Sequence, residues 1–346
     1  MTGGISRKAF LGGSLGALAA AAFHGRVPAS ASPPAPSAGL RMPNSLVLRG
    51  GNIVSTASPL GRPWNSYGTS NVFGAMMLTW DWESWIKPQI DDLVSLGGNA
   101  VRLWGDTAVV ALNGKLSLDT YLARWKQQLD YCQSLGLYVY ACGGAAAHIT
   151  LADTAPMYQE WVSLLATYPN VIGVDLLNEP WGYADYGGGD YSATVQLVQG
   201  LADIVHGCGL PVGTGFPGTP TRPNWDTKLP PVAPFFEVAD VIDWHCYSTD
   251  VTADFIAATL EEPWAQGKPM VFGETGLSKV ATTDPAAADW YRTVGSLISS
   301  NNRMLGAFAW SVYNVAVPSN ALGLFSAPGV PITNITKPFE TWPTKR

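Results

Sequence analysis

Two hydrophobic rhythms alternate along this chain. From Ser45 onward, short and nearly continuous apolar runs give way to longer stretches with apolar residues at three- and four-residue steps. The short runs are 46–54, 99–105, 137–143, 171–177, 211–216, 241–247, 269–274 and 304–312. Their length, continuity and β-branched content predict strands buried on both faces, as in a parallel sheet. Between them, helical spacing is carried by Ile86, Ile90, Leu93 and Val94, then by 121–135, 157–165, 195–205, 255–264 and 286–298. The segment Phe235 to Val238 has the weakest helical pattern. Eight strands alternating with about eight helices predict an α/β fold, a (β/α)8 TIM barrel in one domain. An open doubly wound sheet would alternate in the same way, but no glycine-rich fingerprint follows the first strand.

A barrel of this kind carries its site at the carboxyl ends of the strands. Polar and aromatic residues gather there: Arg102 and Trp104, Asn178 and Glu179, His245 and Tyr247, Glu274, and Trp310. The most informative stretch is VIGVDLLNEPWG, 171–182, where an apolar strand ends in Asn178, Glu179 and Pro180. Proline has no N–H to give a ladder, so pairing stops there. A single glutamate at such a point would be read as a helix cap. PMVFGETGL, 269–277, repeats the pattern with Glu274, and the chain has only eight glutamates, so the repetition favours a functional pair.

Long segments follow strands at 55–82, 182–192, 217–236 and 313–334. Trp64, Trp80, Trp82, Trp181 and Trp225 lie in or beside them, and indoles in such loops suit stacking on sugar rings. Trp125, Trp161 and Trp290 fall on helical stretches and are read as core. Asp175, inside the fourth strand, is read as a structural hydrogen-bonding group. His206 ends a helix, where interaction with the helix dipole is the expected role. Asp106 is the alternative partner for Arg102, as an ion pair.

Composition sharpens the picture at the amino terminus. Residues 1–31 have a basic start, a Gly/Ala-rich apolar stretch and Ala29-Ser30-Ala31, the layout of an export signal too short to span a membrane. Ser6-Arg7-Lys8-Ala9-Phe10-Leu11 resembles a twin-arginine signal with Lys8 in place of the second arginine. Residues 32–43 read as a Pro/Ala/Ser-rich linker and 44–346 as the catalytic domain. Losing the signal removes Arg7, Lys8 and Arg26 and no acidic residue, taking the net charge from −6 to −9. An acidic, secreted domain is expected to engage neither nucleic acid nor, after signal removal, a membrane. It is expected to be a monomer.

Cys132 and Cys208 continue apolar helix stripes and are read as free buried thiols. The pairing of Cys142 and Cys246 stays open. No Cys-x-x-Cys or His-x-x-x-His spacing signals a metal, and no cofactor is expected. Gly12-Gly13-Ser14-Leu15-Gly16 matches a nucleophile elbow in letters only, since it lies in the signal with no strand before it. The rest of the chain lacks such an elbow, which counts against an esterase.

Two carboxyls on different strands of one barrel face are the minimum equipment for breaking a glycosidic bond. One gives a proton to the leaving oxygen and the other attacks the anomeric carbon, so their protonation states must differ. Arg102 and the Tyr247 hydroxyl are expected to hold Glu274 ionised, and Asn178 to meet the sugar 2-hydroxyl.

Asn-Glu-Pro closing the fourth strand, His-x-Tyr on the sixth, Gly-Glu on the seventh and Trp on the eighth resemble clan A retaining glycoside hydrolases. With Arg102 on the second strand, the chain is most similar to glycoside hydrolase family 5, the cellulase family. The resemblance implies Glu179 as acid/base and Glu274 as nucleophile, with Arg102 and Tyr247 positioning the nucleophile. It places Asn178, His245, Trp310 and His148 at the substrate, and the strand-end and loop positions of Trp104 and Trp181 add them to the expected substrate contacts. GGAAAHI departs from the family pattern, since His148 comes several residues later than the family's histidine after the third strand. The implied activity is hydrolysis of a β-linked polysaccharide, β-1,4-glucan or β-mannan, by double displacement. A transglycosylase with the same carboxylates and a non-catalytic carbohydrate-binding barrel are the alternatives.

Overall fold

The computed structural model describes residues 39–54, 76–105, 116–144, 149–180, 190–218, 232–247, 251–277, 285–314 and 323–346, with Thr107, Val110 and Gly114. The signal segment, His148, Trp181, Asp106, Trp64 and Trp225 lie outside the described residues, as do residues 32–38 of the expected linker.

The eight apolar runs are eight strands: β1 (Leu48–Ile53), β2 (Ala100–Trp104), β3 (Tyr138–Cys142), β4 (Val171–Asp175), β5 (Val212–Gly218), β6 (Val241–Cys246), β7 (Met270–Thr275) and β8 (Met304–Ala309). They close in chain order into one parallel barrel, with β1 paired to both β2 and β8. A helix follows each strand: α1 (Lys87–Ser95), α2 (Leu118–Ser134), α3 (Leu151–Ala166), α4 (Tyr191–Gly207), α5 (Ala233–Glu237), α6 (Ala253–Glu261), α7 (Pro285–Ser300) and α8 (Thr333–Glu340). The fold is the expected (β/α)8 barrel. No helix among the described residues is long and apolar enough to cross a membrane.

Local chemistry starts these helices where the pattern placed them. Ser117, Thr150, Asp190 and Thr252 precede α2, α3, α4 and α6, and each side chain accepts a backbone N–H of the first turn. The weak fifth helix is real but only five residues long. His206, in the last turn of α4, bonds Asp240 Oδ2 at 2.9 Å, and the same oxygen accepts the Val212 N–H that opens β5.

Three apolar groups organise the interior. The largest lies between the sheet and the helices and includes Trp125, Trp161 and Trp290, core residues as expected. A second fills the floor of the barrel with Leu48, Ala100, Tyr140, Ile172, Val241, Val271, Leu305 and Phe308. Leu40 belongs to it, and the Arg41 N–H bonds the Ile172 carbonyl at 2.8 Å. The end of the expected linker is therefore part of the barrel, plugging its floor. The third group, Val54, Trp104, Cys142 and Trp310, lies at the opposite end, where the strands terminate.

The segment 313–334, read as a loop, contains a small antiparallel sheet, β9 (Phe325–Ala327) with β10 (Val330–Pro331), and the start of α8. Strands of three and two residues are too short to leave a periodic signal. All four cysteines are free. Cys132 is buried as expected, but Cys208 is only partly so, because it caps the exposed carboxyl end of α4.

Candidate active site

Parallel register brings the polar residues of the inner face to one level. Asn52 pairs with Arg102, Arg102 with Tyr140, and His245 with Glu274 across neighbouring strands. Arg102 is fully buried at the centre of this layer. Its Nη1 donates to Glu274 Oε1 and to Asn52 Oδ1, both at 2.8 Å. Its Nη2 donates to Asp175 Oδ2 at 2.5 Å and Asn178 Oδ1 at 2.9 Å. Burial opposes the charge on Arg102, but the carboxylates of Asp175, Glu274 and Asp243 outweigh it, and its pKa stays well above the usual arginine value. Asp175 also accepts the Gly215 N–H at 2.9 Å, so it is structural, as expected.

Glu274 uses both oxygens: Oε1 accepts from Arg102, and Oε2 from the Tyr247 hydroxyl at 2.5 Å. These are the two donors the sequence pointed to. The net effect on its pKa differs from the expectation. Burial, the largest influence, raises the carboxyl above its ordinary range despite His245, Arg102 and the Tyr247 hydrogen bond. Tyr247 itself is pushed well up, first by burial and then by the Glu274 charge, so it stays a donor.

Glu179 is placed differently. Its side chain is 29% exposed, against 5% for Glu274. Its backbone has φ of +48°, a left-handed conformation uncommon outside glycine. Strain of this kind costs about 1–3 kcal/mol and is typical of functional positions. His245 Nδ1 lies 2.8 Å from Glu179 Oε1 and 3.5 Å from Glu274 Oε2, standing between the two carboxyls. Burial works against a charged His245, but Glu274 and Glu179 prevail and push its pKa up to about 9. One oxygen from each glutamate and a ring nitrogen of His245 all lie within 4.8 Å of one another.

Trp310 meets Trp104 with ring centroids 5.6 Å apart, and the Arg102 guanidinium sits 5.2 Å from the Trp104 ring centre. Both indoles belong to the apolar group at the strand ends, but Trp104 is fully buried, so it backs Trp310 rather than reaching a substrate as the sequence reading expected. Trp80 and Trp82 do not join them in the way the loop reading expected. They stack on each other at 5.9 Å and pack on Arg124 and Tyr131 of α2. They are covered from one side by a helix, which the sequence could not reveal.

Sequence reasoning missed Asn52, Tyr140 and Asp243. Asn52 ties three strands by donating to the Gly273 and Ala309 carbonyls at 3.0 and 3.2 Å. Tyr140 donates to Asp243 Oδ2 at 2.9 Å. The available signal was a polar residue inside an otherwise apolar strand, as in LRGGNI and VIDWHC. The Glu179–His245–Glu274 group has the compactness of a metal site. Its donors are already committed to Arg102, Tyr247 and one another, and the neighbouring guanidinium disfavours a second cation.

The architecture is the (β/α)8 barrel with a polar inner layer at the strand termini. No family model matches the sequence, and no curated protein matches it. Solved structures share the fold at low identity. An exo-β-1,4-mannosidase from Opitutaceae bacterium strain TAV5 aligns with a TM-score of 0.62 and 16% identity, over 85% of this chain and 59% of that one. A broad-specificity endoglucanase from Clostridium longisporum gives 0.59 and 15%, over 86% of this chain and 96% of that one. A family 2 β-galacturonidase from Eisenbergiella tayi gives 0.57 and 12%, over 87% of this chain. The chain spans about half the length of that galacturonidase, 52%, and 59% of the mannosidase.

Proposed function

We propose that the protein is a retaining β-glycoside hydrolase acting on a β-linked polysaccharide, with Glu274 as nucleophile and Glu179 as acid/base. The observation that carries this is the approach of the two carboxyls to within 4.8 Å, oxygen to oxygen. Retaining enzymes hold the pair about 5–5.5 Å apart, whereas inverting ones need about 6.5–9.5 Å to admit a water. The division of roles rests on environment. Glu274 is buried and gripped by Arg102 and Tyr247, which suits an oriented nucleophile. Glu179 reaches solvent, which suits a group that exchanges protons with a leaving group and then with water.

In the first step, an oxygen of Glu274 bonds to the anomeric carbon as the glycosidic C–O bond breaks and the Glu179 proton passes to the departing oxygen. In the second, Glu179 takes a proton from water, the water oxygen bonds to the anomeric carbon, and Glu274 leaves as a carboxylate. His245, bonded to Glu179, holds that carboxyl in place through its change of charge. Trp310 is the indole proposed to wall a sugar ring, backed by Trp104. The fold neighbours named for a mannosidase and an endoglucanase favour β-1,4-mannan or β-1,4-glucan as substrate. Export through the signal-like first 31 residues fits action on an external polymer.

The test is reducing-sugar release from β-glucans, β-mannans and β-xylans by wild type and Glu274→Ala, with the anomer of the first product read by NMR. Release with retained configuration, lost in the variant, is expected. Activity surviving in Glu274→Ala, or an inverted product, would overturn the assignment.

A further inference from the structure

Asp243 precedes His245 by two residues on β6, so both side chains enter the barrel. It is fully buried. Its Oδ1 accepts the Gly273 N–H and its Oδ2 the Tyr140 hydroxyl, each at 2.9 Å. The same Oδ1 stands 4.0 Å from Nε2 of His245, a buried nitrogen that lacks a hydrogen-bond partner among the described residues. The neighbouring strands carry glycine where they face this pair. A Cβ at Gly273 would lie 2.2 Å from Asp243 Oδ1, and one at Gly215 would lie 2.6 Å from His245 Nε2.

A carboxylate buried this deeply is costly unless it meets a charge or donors. We propose that Asp243 is a positioning residue that faces Nε2 of His245 from below, keeping the ring doubly protonated and its Nδ1–H aimed at Glu179. The inference rests on the reading of Glu179 and Glu274 as the catalytic pair. The groups facing His245 are Glu179 after β4, Glu274 on β7, Arg102 on β2, Asp175 on β4 and Asp243 on its own strand. Glu274 and Glu179 are the stronger anions for His245, but both change during the reaction. Glu274 becomes an ester and Glu179 gains and loses a proton. Asp243 and Asp175 take no part in bond changes and persist beside His245 throughout, but Asp175 is engaged by Arg102 Nη2 and the Gly215 N–H, whereas Asp243 Oδ1 stands 4.0 Å from Nε2. Tyr140, Asp175, Arg102 and His245 face Asp243 in turn.

The charge states agree with this geometry. Burial first, and then Asp175, raise Asp243 to about 6 against the pull of His245, Arg102 and Tyr140. His245 is held at about 9. Between those values the aspartate is anionic and the imidazole cationic.

The experiment is ring-nitrogen NMR of the full chain, wild type against Asp243→Asn, from about pH 5 to pH 10 without substrate. The chain has four histidines, and a His245→Asn spectrum assigns the resonance by difference. His245 is expected to titrate about one pH unit lower in Asp243→Asn, and the alkaline limb of kcat/KM to move down with it. An unchanged titration in a folded variant would overturn the proposal. Should Asp243→Asn fail to fold, Tyr140→Phe removes a hydrogen bond that favours the aspartate anion. The acid-side inflection of the His245 resonance then moves to higher pH, and its absence counts against the pair. If no glycoside is cleaved by wild type, the functional reading fails while the NMR titration still decides on Asp243.

Discussion

Arg102 donates to Glu274 Oε1 at 2.8 Å from a guanidinium with no solvent exposure. The same group also binds Asp175 and Asn178, so one cation joins Glu274, the interior of β4 and the residue beside Glu179.

Arg102→Ala is therefore expected to cost stability as well as activity. It strands buried carboxylates, a class of change worth about 3–5 kcal/mol. Chemical denaturation of the variant measures this. A loss below about 1 kcal/mol, the range of an exposed pair, would contradict the central role.

Tyr247→Phe removes a hydrogen bond made to the charged form of Glu274. As the proposed nucleophile Glu274 must be ionised, and its pKa is already raised by burial. Losing the donor raises it further, so the acid limb of kcat/KM shifts to higher pH and the alkaline limb stays. A pH–rate profile of the two proteins checks the sign.

At Glu179 the left-handed backbone separates two otherwise similar variants. Glu179→Ala and Glu179→Gly both remove the carboxyl, and both are expected to lose about 10²–10⁴ in rate on substrates with poor leaving groups. Glycine accepts φ of +48° without a Cβ penalty, so Glu179→Gly should be the more stable by about 1 kcal/mol. Equal melting temperatures would show that the turn relaxes.

Gly213 faces the Tyr140 hydroxyl so closely that an added Cβ would lie 1.8 Å from it. Gly213→Ala must displace Tyr140 and, through it, Asp243. Overpacking of this kind costs about 1–3 kcal/mol, and a fall in melting temperature is the expected readout. Gly207→Ala, on the last turn of α4 with open space around its Cβ, is the control.

Much of this barrel was legible in the chain because strands buried on both faces leave continuous apolar runs. Eight such runs became the eight strands, and the strand ends at Glu179, His245 and Glu274 carried the visible chemistry. The small sheet at 325–331 left no such trace, and neither did the helix packing of Trp80 and Trp82. Tryptophan in a connecting segment looks the same in sequence whether it faces a sugar or a neighbouring helix.

Local chemistry, then, decided the elements: period, capping residues and proline act over a few positions and can be read in order. Only closure of the barrel decided the partners. Asn52 meets Gly273 across 221 residues of chain, and Arg102 meets Glu274 across 172. Those contacts follow from parallel register around a closed sheet, which no local pattern encodes. Burial in that shared interior then raised Glu274 and Asp243, while the carboxylates of Glu274 and Glu179, brought in from other strands, hold His245 protonated against it.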